Sequence, residues 1–324
     1  MTGVPDRIAT APALDSDTIA VVANGAAREN HAAEAKHLAL AGVAGRCPLC
    51  LSPQTRTLFH DQGRRLDQCR SCGASFLVPQ PFPSSVAARF QNENPALLND
   101  LHRRFEKNRE RVLRRVARQI QRRRTHGRIL DVGCASGFFL ARFFAESHWQ
   151  RRGVELSPVK AQAAVEKCLQ VHTGDVHSAN FGPNGFDVVT VLDAFYYFPR
   201  PQVELGEFRR ILSSEGLLAL ELPWAASRIW RRSGTPRRFL SDRRVPLLES
   251  SDHLFYYTPK AVTQLLEHCG FRVLAMIPLP GNRQESMVRE MFCRTYSWLS
   301  QLMHWLSRGR CFLGPRFLVL AKKS

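Results

Sequence analysis

The sequence predicts an α/β protein built on a mostly parallel sheet, with a small metal-stapled module ahead of it. Three observations carry that expectation. From Ile129 onward, short apolar stretches alternate with helical patterns, as in a series of βαβ units. Several of these stretches end on an acidic residue or a Gly-rich turn, where open α/β sheets gather their ligands. Before them stand two Cys-x2-Cys pairs, Cys47 with Cys50 and Cys69 with Cys72, at the separation of a tetrahedral four-thiolate zinc site.

The module comes first in the chain. Residues 1–45 are polar and Ala-rich, and Asp6, Asp15, Asp17, Glu29 and Glu34 break any apolar run of export-signal type, so they read as a disordered leader. Residues 46–83 read as a zinc ribbon with strands over Gln54–His60 and Gly73–Val78. Four thiolates fill the coordination shell, so the Zn2+ is expected to staple a segment too small for its own core. Nine cysteines in 324 residues do not make a secreted disulfide framework, which fits a cytoplasmic protein. No apolar run is long enough for a membrane span, so no transmembrane segment is expected.

Residues 84–128 form a linker and a basic amphipathic helix. Phe105, Val112, Leu113, Val116 and Ile120 recur at helical spacing, and the arginines are expected to turn outward. Between Leu101 and Arg124 stand eleven Arg or Lys against two Glu, which dominates a net charge of +18. A second cluster sets seven Arg against Asp242 between Arg228 and Arg244. Such fields attract phosphates on nucleic acid, lipid or metabolite, and a solvated helix face is the other reading of the first cluster.

Residues 129–324 form the main domain. Ile129–Leu140 reads as a buried strand, a turn with Gly133 and Gly137, and the start of a helix, which together make a nucleotide cradle. Arg152–Leu156 is a second strand with Glu155 near its end, placed to accept both hydroxyls of a ribose. Val171–Asp175 is a third, ending in an acid able to meet an adenine amine. Phe186–Leu192 is β-branched and apolar enough to be central. A helix over Pro201–Leu212 and a turn at Ser213–Gly216 lead to a strand over Leu217–Leu222. An Arg-rich insertion, 224–251, is expected to cap an acceptor pocket and grip a diphosphate or similar anion. An apolar stripe over Met291–Leu306 closes a pocket, pairs two copies, packs in the core or lies on a membrane as a peripheral contact.

The motifs Leu130–Gly137, Gly153–Pro158, Gly174-Asp175, Phe186–Val189 and Ile211–Gly216 resemble those of class I S-adenosylmethionine-dependent methyltransferases. Asp252–Thr258 and Leu266–Phe271 are similar to elements of the ubiquinone-biosynthesis O-methyltransferase branch. A ribbon ahead of such a domain resembles sugar C-methyltransferases and glycan-modifying methyltransferases. The resemblance implies a Rossmann-like sheet of seven strands, the last antiparallel, and S-adenosyl-L-methionine as cofactor. It also implies that Asp131, Gly133 and Gly137 hold the methionine part, Glu155 the ribose, and Asp175 with Val176 the adenine, while Leu156 flanks the base and Leu192 joins the cofactor set.

Two residues depart from the resembled pattern. Ala135 stands where a third Gly is usual, acceptable if its φ is negative, and Tyr197 stands where a His is frequent. His253 then becomes the expected base, or a histidine that orients the lid, while Asp193, Tyr196 and Tyr197 are candidate acceptor contacts. The reading that follows is a methyltransferase for a glycan, a sugar nucleotide or another small anionic metabolite. An RNA methyltransferase gripping nucleic acid through its basic helix and ribbon is the first alternative, and a non-catalytic protein of the same fold is the second.

Overall fold

Strand β7 (Phe186–Leu192) is the axis of the main sheet, and the reason lies in its residues. Val188, Val189, Thr190 and Val191 are buried on both faces, leaving only Asp187 half-exposed within the strand. A strand covered on both sides needs apolar side chains at successive positions, which β-branched residues supply. In the computed structural model, which describes residues 45–61, 64–81, 83–224, 253–284, 286–307 and 314–324, β7 pairs in parallel with two neighbours. These are β4 (Gly127–Val132) on one side and β8 (Leu212–Pro223) on the other.

Beyond β4 lie β5 (Trp149–Glu155) and β6 (Gln170–Thr173), both parallel. Beyond β8 lie β11 (Arg316–Lys323), antiparallel to its neighbours, and β10 (Phe271–Leu279) at the edge. The order β10-β11-β8-β7-β4-β5-β6 gives a seven-stranded sheet with a single reversed strand, the last. β8 begins at Leu212, so Ser213–Gly216 form part of the strand where a turn was expected, with a register irregularity between Phe186 and Val188 absorbing the extra length.

Helices cover both faces. α1 (Pro83–Gln91) and α2 (Pro95–Gln121) precede β4, and α3 (Phe138–Phe143) and α4 (Pro158–Val165) follow β4 and β5. α5 (Pro201–Ile211) precedes β8, α6 (Pro259–His268) precedes β10, and α7 (Met287–Leu306) joins β10 to β11. In α2, Val112, Leu113, Val116 and Ile120 of the expected stripe are buried, while Phe105 of that stripe lies outside the described side chains. One expectation about this helix is corrected: Arg109 does not turn outward but is buried, on the same face as Leu113 and Val116.

The cysteine module forms a four-stranded sheet. β1 (Thr55–Asp61), β2 (Arg64–Cys69) and β3 (Ser75–Val78) run antiparallel, and β2 is a strand the sequence reading omitted. The fourth strand, β9 (Phe255–Tyr256), arrives from the far side of the 225–252 segment and pairs Tyr256 with Ser75 and Phe255 with Phe76. The leader over 1–44 and nearly all of the basic insertion lie outside the described residues.

Candidate functional site

The site forms at the carboxyl ends of β4, β5, β7 and β8. After Val132 the chain turns through Gly133 (φ 75°) and Gly137 (φ 72°) into α3. A side chain at Gly137 would collide with Leu169 and Ala164, so the turn presses directly against α4 and the approach to β6. Ala135 also has a positive φ, 49°, where a negative value was expected. That conformation points its N–H at Glu155, whose carboxylate accepts it at 2.8 Å and accepts Ser157 N–H at 2.9 Å. Burial pushes the Glu155 carboxyl up, against those two N–H groups and Lys160.

Asp131 occupies the end of β4, buried and accepting a hydrogen bond from Thr190 Oγ1 at 2.6 Å. Burial raises its carboxyl to about 7, although Thr190 and the Arg109 guanidinium both favour the charged form. Asp131, Gly133, Ala135 and Leu192 line a small cavity of about 70 Å³ with Arg109 and Glu106 of α2. Glu106 accepts a hydrogen bond from Ser136 across its edge. Asp175 lies further along, at the end of β6, where one carboxylate oxygen accepts Ser178 N–H at 2.7 Å; Val176 beside it is buried, and Leu156 is half-buried after β5.

Beneath this edge two arginines and two acids form a closed ring. Arg109 of α2 and Arg316 of β11 each pair with both Asp193, after β7, and Glu221 of β8. The four charges cancel inside the protein, and Tyr196 Oη adds a hydrogen bond to Asp193 at 2.8 Å. Sequence reading missed Arg109 because it stood within a run of arginines. Its spacing of four before Leu113 and seven before Val116 was the available signal, since it falls on the apolar stripe.

The aromatic segment after β7 meets the segment before β9. His253 is buried and stacks on Tyr196, with ring centres 3.8 Å apart and planes at 12°. Tyr256 lies 5.8 Å away on a near-parallel plane, and Tyr197 lies 5.4 Å away. Phe90 of α1 packs edge-on against Tyr197 at 5.2 Å. His253 and Tyr197, expected as catalytic residues, are therefore neighbours in one aromatic cluster.

The ribbon forms the outer wall of that cluster. The Sγ atoms of Cys47, Cys50, Cys69 and Cys72 lie within 4.8 Å of one another, with Cys47–Cys72 at 3.7 Å and Cys50–Cys69 at 3.6 Å. A tetrahedron of sulfurs bonded to zinc has edges of about 3.8 Å, so the donor set fits Zn2+. Leu77 N–H donates to Leu254 O, and Leu254 N–H to Tyr196 O, so the ribbon and the aromatic segment share one hydrogen-bonded path.

Residues 101–276 match a family model described as a methyltransferase domain. The chain belongs to this family. Its fold is that of S-adenosylmethionine-dependent methyltransferases, and S-adenosylmethionine is the cofactor such a domain takes. A chain from the complex between the Haloferax volcanii Trm112 methyltransferase activator and a methyltransferase is similar at 18% identity and TM-score 0.51, covering 71% of this chain and 96% of that one. The Burkholderia thailandensis 1,6-didemethyltoxoflavin-N1-methyltransferase, with 1,6-didemethyltoxoflavin and S-adenosylhomocysteine bound, is similar at 14% identity and TM-score 0.50, covering 83% and 99%. These likenesses show the fold. No curated protein sequence matches this chain. Among the described residues of the methyltransferase, no helix is long and apolar enough to cross a membrane.

Proposed function

We propose that this methyltransferase passes the methyl group of S-adenosylmethionine to a small anionic acceptor, a glycan or sugar nucleotide, in the cytoplasm. The observation that carries the reading is the pair of buried carboxylates Asp131 and Glu155, on adjacent parallel strands on either side of the 133–137 turn. A carboxylate has about four acceptor positions, and backbone N–H groups occupy two on Glu155, which leaves capacity for two ribose hydroxyls. One oxygen of Asp175 is likewise engaged by Ser178, and the other serves an adenine amine beside Val176 and Leu156. Asp131, Gly133, Gly137 and Leu192 hold the methionine part.

Bound there, the cofactor supplies a methyl group on a sulfonium, which needs alignment more than activation. The chain's own task is to fix the acceptor and take its proton. Tyr197 follows β7 and His253 precedes β9, with their rings 5.4 Å apart; in this reading His253 takes the proton and Tyr197 orients the acceptor. The Arg-rich stretch between Pro223 and His253 leaves the sheet at the carboxyl end of β8 and returns at the aromatic cluster, which suits an anionic handle.

Calorimetric titration of the zinc-loaded protein with S-adenosylhomocysteine, beside Glu155→Ala, tests the reading. Micromolar binding that the variant loses is the expected result. Absence of binding by folded, zinc-loaded wild type would remove the enzymatic reading.

A further inference from the structure

Helix α7 is inside out. Its buried positions among the described side chains are two serines, Ser297 and Ser300, while Trp298 is 61% and Trp305 74% exposed. Met291, Trp298 and Trp305 recur every seven residues, and so do Phe292, Leu299 and Leu306. All six are exposed. An α-helix drifts only about 20° per seven residues, so these triads form two adjacent apolar rows along the outer side of a 20-residue helix.

Trp298, at the middle of one row, lines a groove of about 570 Å³ between α2 and α7. Six arginines line it: Arg111, Arg114, Arg115 and Arg118 of α2, Arg122 in the turn just after it, and Arg294 of α7, with Trp298 among them. Glu290 pairs with Arg111 and Arg294, and Glu110 with Arg114. Arg118 and Arg122 are exposed and make no ion pair among the described residues.

One occupant satisfies both features. A nucleic acid would neutralise the arginines but leave rows containing Met291, Leu299 and Leu306 in water. A second copy meeting this face about a twofold axis would cover the rows but bring two arginine grooves together. An anionic bilayer offers phosphates at headgroup level and an apolar boundary just beneath, the setting in which in-plane helices with Trp and Phe on one side and Arg on the other come to rest.

We propose that the α2–α7 face docks on anionic phospholipid bilayers, with Arg118 and Arg122 on lipid phosphates and the Trp298 and Trp305 rings in the headgroup and acyl boundary. This surface would hold the enzyme beside a membrane-borne acceptor, but its existence does not depend on the catalytic reading.

The test uses the full chain and extruded vesicles of phosphatidylcholine alone or mixed with phosphatidylglycerol, separated by flotation. Flotation with the anionic vesicles only, weakening as salt is raised, is expected. Replacing both arginines in Arg118→Ala/Arg122→Ala should lower the partition coefficient roughly 25-fold, from roughly fivefold per arginine near the surface. Trp298→Ala/Trp305→Ala should lower it at least as far, and in wild type the Trp emission should move to shorter wavelength as anionic vesicles are added. Both double variants change exposed residues only, so unchanged thermal unfolding and unchanged S-adenosylhomocysteine binding serve as controls. The proposal is overturned if wild type stays with the protein fraction at low salt. It is equally overturned if neither double variant alters flotation, or if the tryptophan variant instead converts a dimer to a monomer with vesicles ignored. Retention of single-stranded RNA at a salt concentration where anionic vesicles are released would also overturn it in favour of nucleic acid.

Discussion

Arg109 and Arg316 grip the same two carboxylates, Asp193 and Glu221, from positions more than 200 residues apart in sequence. The ring joins α2, the end of β7, β8 and β11 at one point, and Glu221 is wholly buried. Removing one partner of such a buried set leaves an uncompensated charge, which typically costs about 3–5 kcal/mol. Arg109→Met should therefore shift the urea midpoint strongly. Arg294→Met removes an exposed arginine whose partner Glu290 keeps its pair with Arg111, and should cost less than about 1 kcal/mol. Equal costs for the two variants would mean that the ring gives the fold no particular support.

Asp131 gives the protein a pH-dependent cost with a defined sign. Its carboxyl is held at about 7 by burial, against an ordinary value of 3.8. Between those values the folded chain keeps a proton that the unfolded chain has lost, so stability falls as pH rises through this window and is level above it. The span bounds the effect at about 4 kcal/mol. Asp131→Asn keeps the oxygen that accepts from Thr190 but cannot titrate. Its unfolding temperature relative to wild type should climb from pH 4 to 7 and then hold, in scans at a series of pH values. The same variant should lose S-adenosylhomocysteine affinity by at least roughly tenfold, if the carboxylate is a ligand group as proposed. A stability difference that does not vary with pH would place the ionised carboxylate in the folded state throughout.

Ala135 carries a conformation that glycine adopts more readily. A left-handed residue with a Cβ is strained by about 1–2 kcal/mol, while glycine's extra freedom in the unfolded chain offsets about half of that. Ala135→Gly should thus raise stability by roughly 0.5–1 kcal/mol, with the N–H to Glu155 preserved. Differential scanning calorimetry would register the gain as a rise in unfolding temperature, and a fall would show that the methyl makes packing contacts worth more than the strain.

What the sequence makes legible is what short spacing encodes. The strand, turn and helix over Ile129–Leu140, the acids at strand ends and the cysteine pairs each lie within a few positions, and the structure brings them to one sheet edge or one cluster. Contacts that depend on distant partners were less visible. Arg109 needs Glu221, 112 positions away, to be recognised as buried, and a run of arginines conceals it. β9 is two residues long within an aromatic run, so nothing local says that Phe255 and Tyr256 complete a sheet begun near residue 55. The positive φ at Ala135 goes with an N–H bound to Glu155, a contact across 20 positions.

Thr258 links the cysteine cluster to the wall of the proposed acceptor site. Its hydroxyl donates to Cys72 O at 2.8 Å and accepts Ala261 N–H at 3.1 Å, capping α6. Lys260 Nζ adds a bond to Ser71 O at 2.7 Å, and β3 pairs with β9 just beyond His253. A metal that organises the knuckles should then also steady the segment carrying His253. Cys72→Ser should lose zinc and several kcal/mol of stability, since metal binding and folding are coupled in such modules. Thr258→Val should keep zinc but cost about 1–2 kcal/mol through the missing cap and the missing bond to the knuckle. Hydrogen exchange followed by mass spectrometry, with and without a zinc chelator, reads both effects by segment. Chelation is expected to speed exchange over 253–258 as well as 45–78. Faster exchange confined to 45–78 would show that the ribbon is a separate appendage, and the position of His253 would then have to be explained by Tyr196 and Tyr256 alone.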